Sequence, residues 1–300
     1  MVYVNKALTD RREAKAFVLA CETDFLQRLT EVVRRIVREC GVECVTLSGP
    51  TCSGKTTTAT KLTAEIEAAG KRAVVVSIDD FFKERLHPNT VDYIVDYDTV
   101  DAIDLPLLAA RADKLVRGIS TTLPVYDFVS GTRSEAKIYN ATPDDIIIFE
   151  GIQAVYPEVV SLFSSYSFRS VYISVSETLS VNGTVFAPDE IRLARRIVRD
   201  ARFRSASPEF TFHMWKSVRE NEEKNIAPHS NRCDYRIDSL LSYEPFMIAP
   251  HLLPLLATVP ADSPYASEAK QLAEKYRVVG DSAVTEALLP EFSLYHEFLG

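Results

Sequence analysis

No uninterrupted apolar run in this sequence approaches the roughly 20 residues that a membrane-spanning helix needs. The opening residues, MVYVNKALTDRREAK, carry charge but lack the apolar stretch of a secretory signal. Basic residues are outnumbered: 34 Lys and Arg stand against 42 Asp and Glu, a net charge of −8. A dedicated nucleic-acid binder shows the opposite balance. The five cysteines, Cys21, Cys40, Cys44, Cys52 and Cys233, form no C-x-x-C pair. Their odd number and wide spacing suit reduced thiols and not a disulfide framework. Internal repeats and low-complexity tracts are missing, as are the N-K-x-D and D-x-x-G elements of a guanine-nucleotide switch. The expectation is a soluble cytoplasmic protein with no nucleic-acid or membrane partner. The 300 residues are 46% hydrophobic, enough for one large domain or a domain with appendages.

What is present is a phosphate-binding signature. Gly49-Pro50-Thr51-Cys52-Ser53-Gly54-Lys55-Thr56 reads G-x-x-x-x-G-K-T, a loop that cradles nucleotide phosphates. Val42–Leu47 before it is an apolar run suited to a buried strand, and Thr57–Ala69 after it reads as a helix. The glycines let consecutive amides of residues 49–54 turn inward toward phosphate oxygens. The helix N-terminus, with Thr57 in its first turn, adds partial positive charge. Lys55 then reaches the β- and γ-phosphates of ATP (or GTP), and the Thr56 hydroxyl sits on Mg²⁺. Cys52 reads as a small filler in this loop.

Strand and helix signals alternate along the chain, predicting an α/β fold of three layers with a mostly parallel central sheet. The strands are Val42–Leu47, Ala73–Ile78, Asp145–Glu150, Phe168–Val175 and 234–237. Helices are expected over Ala14–Glu39, 54–69, 99–117, 151–163, 188–200, 209–224, 244–257 and 264–278. Thr121–Val125 and Ala136–Tyr139 break the rhythm as a small β-hairpin over the substrate site. The chain divides into a helical extension (1–41), a phosphate-loop domain (42–241) with a lid near 200–208, and a second helical extension (242–300). Phe292, Leu294, Tyr295, Phe298 and Leu299 near its end either form a homo-oligomer face or cover the domain's own core.

Four further constellations bear chemistry. Asp79 and Asp80 follow the second strand of the alternating series, where ligands of open parallel sheets bind. Either acid can take a proton from an acceptor hydroxyl and help place Mg²⁺, or cap the next helix. Ile146–Glu150 is an apolar strand ending in an acid, the arrangement that orients metal-bound water. Arg192, Arg195, Arg196, Arg199, Arg202 and Arg204 form a dense basic run before the small-residue stretch Ser205-Ala206-Ser207-Pro208. Arginines match phosphate oxygens and stabilise a phosphoryl group in flight. Tyr126 and Phe128 offer aromatic faces beside Asp127.

Together these residues resemble the phosphoribulokinase/uridine kinase family. The resemblance rests on GPTCSGKTT, SIDDFF, PVYDFVSGTR, IIIFEGI and RLARRIVRD, in that order over about residues 42–240. The region from EFTFHMWKSVRENEEKNIAP onward is similar to a bacterial branch of uridine kinase-like nucleoside kinases. There the kinase unit often follows domains similar to the N-terminal domains of threonyl-tRNA synthetase, which this sequence does not contain; residues 1–41 would be the joining segment. The resemblance implies a kinase acting on a small-molecule hydroxyl, most of all a ribonucleoside 5′-hydroxyl. Asp79 would be the catalytic base, Asp98 would hold the ribose hydroxyls beside Tyr97, and Tyr126 and Phe128 would contact the base. Arg196 would bind sugar, Arg199 the phosphates, and Arg202 or Arg204 would close from the lid, with Glu150 supporting Mg²⁺. Two positions depart from the pattern: Gly131 stands where pyrimidine-selective relatives carry a His, and Phe82 where Tyr is usual. His213 is the candidate replacement imidazole. The rival readings are a related kinase for a polyol or sugar phosphate, and a non-catalytic nucleotide-binding regulatory module.

Overall fold

The computed structural model describes residues 1–5, 8–39, 41–84, 97, 99–128 and 130–300. Asp98, assigned above to the ribose, lies outside the described residues, as does Cys40. A short strand β1 (Val2–Val4) precedes helix α1 (Arg11–Arg38). Asp10 caps α1 by accepting from Glu13 N, so the helix begins three residues before the expected Ala14. Its buried stripe includes Val18, Phe25, Leu29, Val32 and Ile36.

The alternating region follows the expected order. Strand β2 (Cys44–Ser48) leads through the glycine loop into α2 (Lys55–Ala68). Strand β3 (Ala73–Ser77) ends in a 3₁₀ turn at Ile78–Phe81. The single helix expected over 99–117 is instead a 3₁₀ turn at Val100–Ala102 and then α3 (Leu105–Val116). Asp104 separates them by capping α3 at Leu107 N. The hairpin is longer than expected, pairing β4 (Thr121–Asp127) with β5 (Thr132–Tyr139). Next come β6 (Ile146–Glu150), a 3₁₀ turn at Ile152–Val155, α4 (Pro157–Leu162) and β7 (Phe168–Ser174).

Sequence reasoning missed β8 (Leu179–Val181) and β9 (Thr184–Phe186), which join β1 in a three-stranded sheet. The signal was present: Asn182-Gly183, both at positive φ, is the preferred two-residue hairpin turn. Helices α5 (Pro188–Phe203) and α6 (Pro208–Asn221) follow. A π-helical turn, Glu222–Ile226, runs into α7 (Ala227–Ser230), then β10 (Tyr235–Asp238). Helices α8 (Glu244–Leu256), α9 (Ala266–Arg277) and α10 (His296–Leu299) complete the chain.

The main sheet is parallel throughout, in the order β10-β7-β2-β6-β3. Its strands feed two cores by alternation, because successive side chains point to opposite faces. Ile146 and Ile148 join the core shared with α1, α2, α5, α8 and α9. Ile147 and Phe149 join the core under α3, α4 and the hairpin. A sheet buried on both faces requires such near-continuous apolar strands. The first of these cores runs from Val4 to Leu299, so the flanking helical segments share it with the sheet. Leu294, Tyr295, Phe298 and Leu299 cover this core within the chain, while Phe292 stays exposed. Among the described residues no helix is long and apolar enough to cross a membrane.

Candidate active site

Strand register sets the level of the site. Leu47 on β2 and Ser77 on β3 both pair with Glu150 on β6. The glycine loop, Glu150 and the Asp79-Asp80 pair therefore leave three adjacent strands along one edge, the carboxyl edge where parallel sheets bind ligands. Two glycines permit the crowding. A Cβ on Gly49 would run into Ile173 O, so the loop starts flush against β7. A Cβ on Gly151 would sit 2.9 Å from the Ile78 Cβ, so β6 and β3 exit side by side. Within the loop, Cys52 (φ 56) and Gly54 (φ 87) take left-handed backbone conformations, and Cys52 is buried as the filler expected. Lys55 Nζ donates to Pro50 O at 3.2 Å, across the loop it closes. Thr56 on the first turn of α2 is exposed.

Burial pushes the Glu150 carboxyl up to about 7; the Lys55 charge opposes this, while Asp79, Glu297 and Asp80 reinforce it. Asp80 accepts from Tyr126 N at 3.1 Å. It thus ties the hairpin to the end of β3, a role distinct from that expected of Asp79. Among the described residues, no group of three or more His, Cys, Asp or Glu side chains forms a ready metal cage.

Beside these acids four rings meet. Phe82 lies 4.9 Å from Tyr97 and 5.7 Å from Tyr126, centroid to centroid. Phe128 lies 5.5 Å from Tyr97 and 5.1 Å from Tyr126. All are tilted or edge-on, the arrangement that ring quadrupoles favour. The two tyrosine hydroxyls are 3.1 Å apart. Gln153 Nε2, just beyond Glu150, donates to Tyr97 O at 2.7 Å, fastening the cluster to the sheet edge. Phe82, noted above only as a departure, is 2% exposed and touches the other three rings, whereas Phe128 is 48% exposed.

The basic run divides three ways. Arg192 grips Glu222 with both terminal nitrogens (2.6 and 2.7 Å) and donates to Thr51 O. Arg195 is fully buried, pairs with Glu244, and donates to Cys52 O at 3.0 Å and Ser239 O at 2.8 Å. These two arginines hold loop carbonyls from behind. Arg196, Arg199 and Arg204 converge on Asp200. Arg202, expected at the lid, reaches instead to Glu286 at 3.4 Å. His213 Nδ1 lies 2.9 Å from Tyr265 OH, so the structure brings it to the segment before α9 and not to the aromatic cluster. The buried acids Glu222 and Glu244 gave no sequence signal, because nothing local marks a glutamate as the partner of an arginine 30 or 49 positions away. Ser205–Ser207 forms the turn between α5 and α6.

A strand, a glycine-lysine loop and a helix at the carboxyl edge of an all-parallel sheet, with strand-end acids alongside, define a P-loop nucleotide-binding protein. A family model described as "Phosphoribulokinase / Uridine kinase family" matches residues 44–243. The chain belongs to that family and is a P-loop kinase. A uridine kinase of Lactobacillus johnsonii is 29% identical over 190 residues, covering 63% of this chain and 82% of the relative. One from Lactobacillus helveticus is 31% identical over 162 residues, covering 54% and 69%. A structure described as a "possible uridine kinase" of Bacillus stearothermophilus overlaps 71% of this chain and 98% of its own, at 21% identity and a TM-score of 0.47.

Proposed function

We propose that this chain transfers the γ-phosphoryl group of ATP (or GTP) to the 5′-hydroxyl of a ribonucleoside such as uridine or cytidine. The observation that carries the reading is the shared sheet edge: Asp79 follows β3, whose Ser77 is level with Glu150 on β6, and β6 in turn pairs with β2, the strand that enters the glycine loop. Residues Gly49 to Thr57 would hold the triphosphate, Lys55 its β- and γ-oxygens. Asp79 would accept the acceptor's proton, and Arg199 would neutralise charge in transfer. Arg196 and Arg204, gathered on Asp200, are the remaining candidates for sugar and phosphate contacts; Arg202 and His213 would need new rotamers to join them.

Mg²⁺ fits this donor set. Mg²⁺ in kinases keeps several waters and takes only one or two carboxylates besides phosphate oxygens. Thr56, Asp79 and Glu150 would hold it; burial raises the Glu150 carboxyl, and the nearby Asp79 and Asp80 charges, which a cation would offset, add to that shift. When bound, the ion would neutralise developing charge on the phosphates.

Tyr97, Tyr126 and Phe128 supply the ring faces for a nucleobase, with Asp98 for the ribose. The relatives described as uridine kinases support a nucleoside acceptor. Gly131, in the hairpin turn, brings no imidazole to that cluster. It favours the second reading, a kinase for a non-nucleoside polyol or sugar phosphate. A phosphoryl-transfer screen with ATP and Mg²⁺ separates the two. Transfer to uridine or cytidine supports the first; transfer to polyols or sugar phosphates alone supports the second; no acceptor-dependent ATP consumption removes both and leaves a regulatory nucleotide binder. Asp79→Asn should lower turnover about 10²- to 10⁴-fold with ATP affinity retained. Near-wild-type single-turnover transfer in that variant removes Asp79 from the role.

A further inference from the structure

The segment Ser293–Leu299 closes on the glycine loop in a way that no motif announced. Leu294, Tyr295 and Phe298 are completely buried. Leu294 packs against the loop itself: a Cβ on Gly54 would meet its Cδ1 at 3.5 Å. The rings of Tyr295 and Phe298 flank the Arg195 guanidinium, at 6.0 and 5.0 Å, and that guanidinium also holds Cys52 O. Ser293 hydrogen-bonds the buried Glu22. The segment is built into the fold at four points, and between them it presents one half-buried acid, Glu297, to the first turn of α2.

There Thr57 Oγ1 donates to Glu297 Oε2 at 3.2 Å. Thr57 is two residues past Lys55, where hydroxyl and amide donors at a helix N-terminus attract anions. Among the described residues Thr57 is the side-chain hydrogen-bond partner of Glu297, so the direct contact that holds the carboxylate belongs to the phosphate cradle. The Glu297 charge also acts on Glu150 and on Arg199, two groups of the same site. A phosphate and a carboxylate cannot share one hydroxyl donor, and at a few ångströms in a half-buried site two like charges repel strongly.

Resting on the donor role read for the glycine loop, we propose that Glu297 is a built-in competitor of the donor's phosphates: its carboxylate occupies the Thr57 hydroxyl, and triphosphate binding requires it to swing away. The buried Leu294, Tyr295 and Phe298 keep the competitor at high local concentration, so the contact sets the affinity for the donor. Rotation of the Glu297 side chain alone releases it; the segment stays in the core.

Calorimetric titration with ATP and with inorganic tripolyphosphate tests this, because tripolyphosphate carries the phosphates without ribose or base. Glu297→Ala and Glu297→Gln should both bind each probe more tightly than wild type, by roughly tenfold for loss of one charge-assisted competitor. Thermal melting of each variant confirms that the segment still packs. Unchanged or weaker tripolyphosphate binding in Glu297→Ala overturns the proposal. Weaker ATP binding with unchanged tripolyphosphate binding also overturns it, and would make Glu297 a contact for the nucleoside. Lys55→Ala separates this from failure of the donor reading. If both probes bind wild type and Lys55→Ala alike, the phosphate cradle itself is wrong; if Lys55 matters and Glu297 does not, only the competitor is lost.

Discussion

Replacing Arg195 by Met tests whether the arginines behind the loop, Arg192 and Arg195, are structural. Arg195 and Glu244 are 0% and 1% exposed. The guanidinium makes two bonds to Glu244, the Nε one at 2.7 Å, and donates to Ser239 O and Cys52 O. Met fills most of the same space but leaves the Glu244 carboxylate buried without its cation, though Leu241 N still donates to it. Removing one partner of a buried pair costs about 3–5 kcal/mol, a large share of the ~5–15 kcal/mol that a domain of this kind has to lose. The loss depends on pH in a definite direction. With its arginine gone, Glu244 ionises at a raised pKa in the folded state, so the native form holds its proton more tightly than the unfolded chain. The variant is therefore least impaired near pH 5 and loses stability as pH rises, by at most about 1.4 kcal/mol per unit. Urea unfolding of wild type and variant at pH 5, 7 and 8 measures both effects. Glu244→Leu added to Arg195→Met should recover much of the stability, since an apolar pair avoids the desolvation penalty. A loss below about 1 kcal/mol at pH 7, or a loss equal at pH 5 and pH 8, would refute the structural role.

Asp80→Ala should loosen the hairpin by removing the acceptor of Tyr126 N. The acceptor KM should then rise several-fold while the ATP KM holds, about the effect of one charge-assisted hydrogen bond; a drop in turnover like that of Asp79→Asn would show that the two acids act as one. Glu150, raised from its ordinary 4.5 to about 7 chiefly by burial, favours the folded state while protonated. Its contribution is fully present below pH 4.5 and is lost as pH rises through about 7. Glu150→Gln should flatten the melting temperature over that window in metal-free buffer, and an unchanged slope would assign the pH dependence elsewhere.

The local motifs were readable from the sequence because their chemistry is backbone chemistry over a few residues. G-x-x-x-x-G-K-T needs only its own glycines and the helix that follows. The apolar runs of β2, β6 and β7 identify strands buried on both faces, whereas the Asp10 cap, also a local signal, was missed and α1 was expected to start at Ala14. Asn182-Gly183 was equally local and was passed over because the strands beside it are only three residues long.

What the sequence alone determined is the phosphate loop, the parallel order of the sheet's class and the position of each acid along its strand. Tertiary structure decided which of those groups meet. It set Arg192 and Arg195 behind the loop with Glu222 and Glu244, gathered Phe82 with three other rings, and brought Glu297 to Thr57 across 240 positions. The physical reason is one of range. Dihedral preference and periodicity act within a turn or two of chain, whereas ion pairing and burial are fixed only when distant segments pack, and any arginine or glutamate looks the same until its surroundings exclude water.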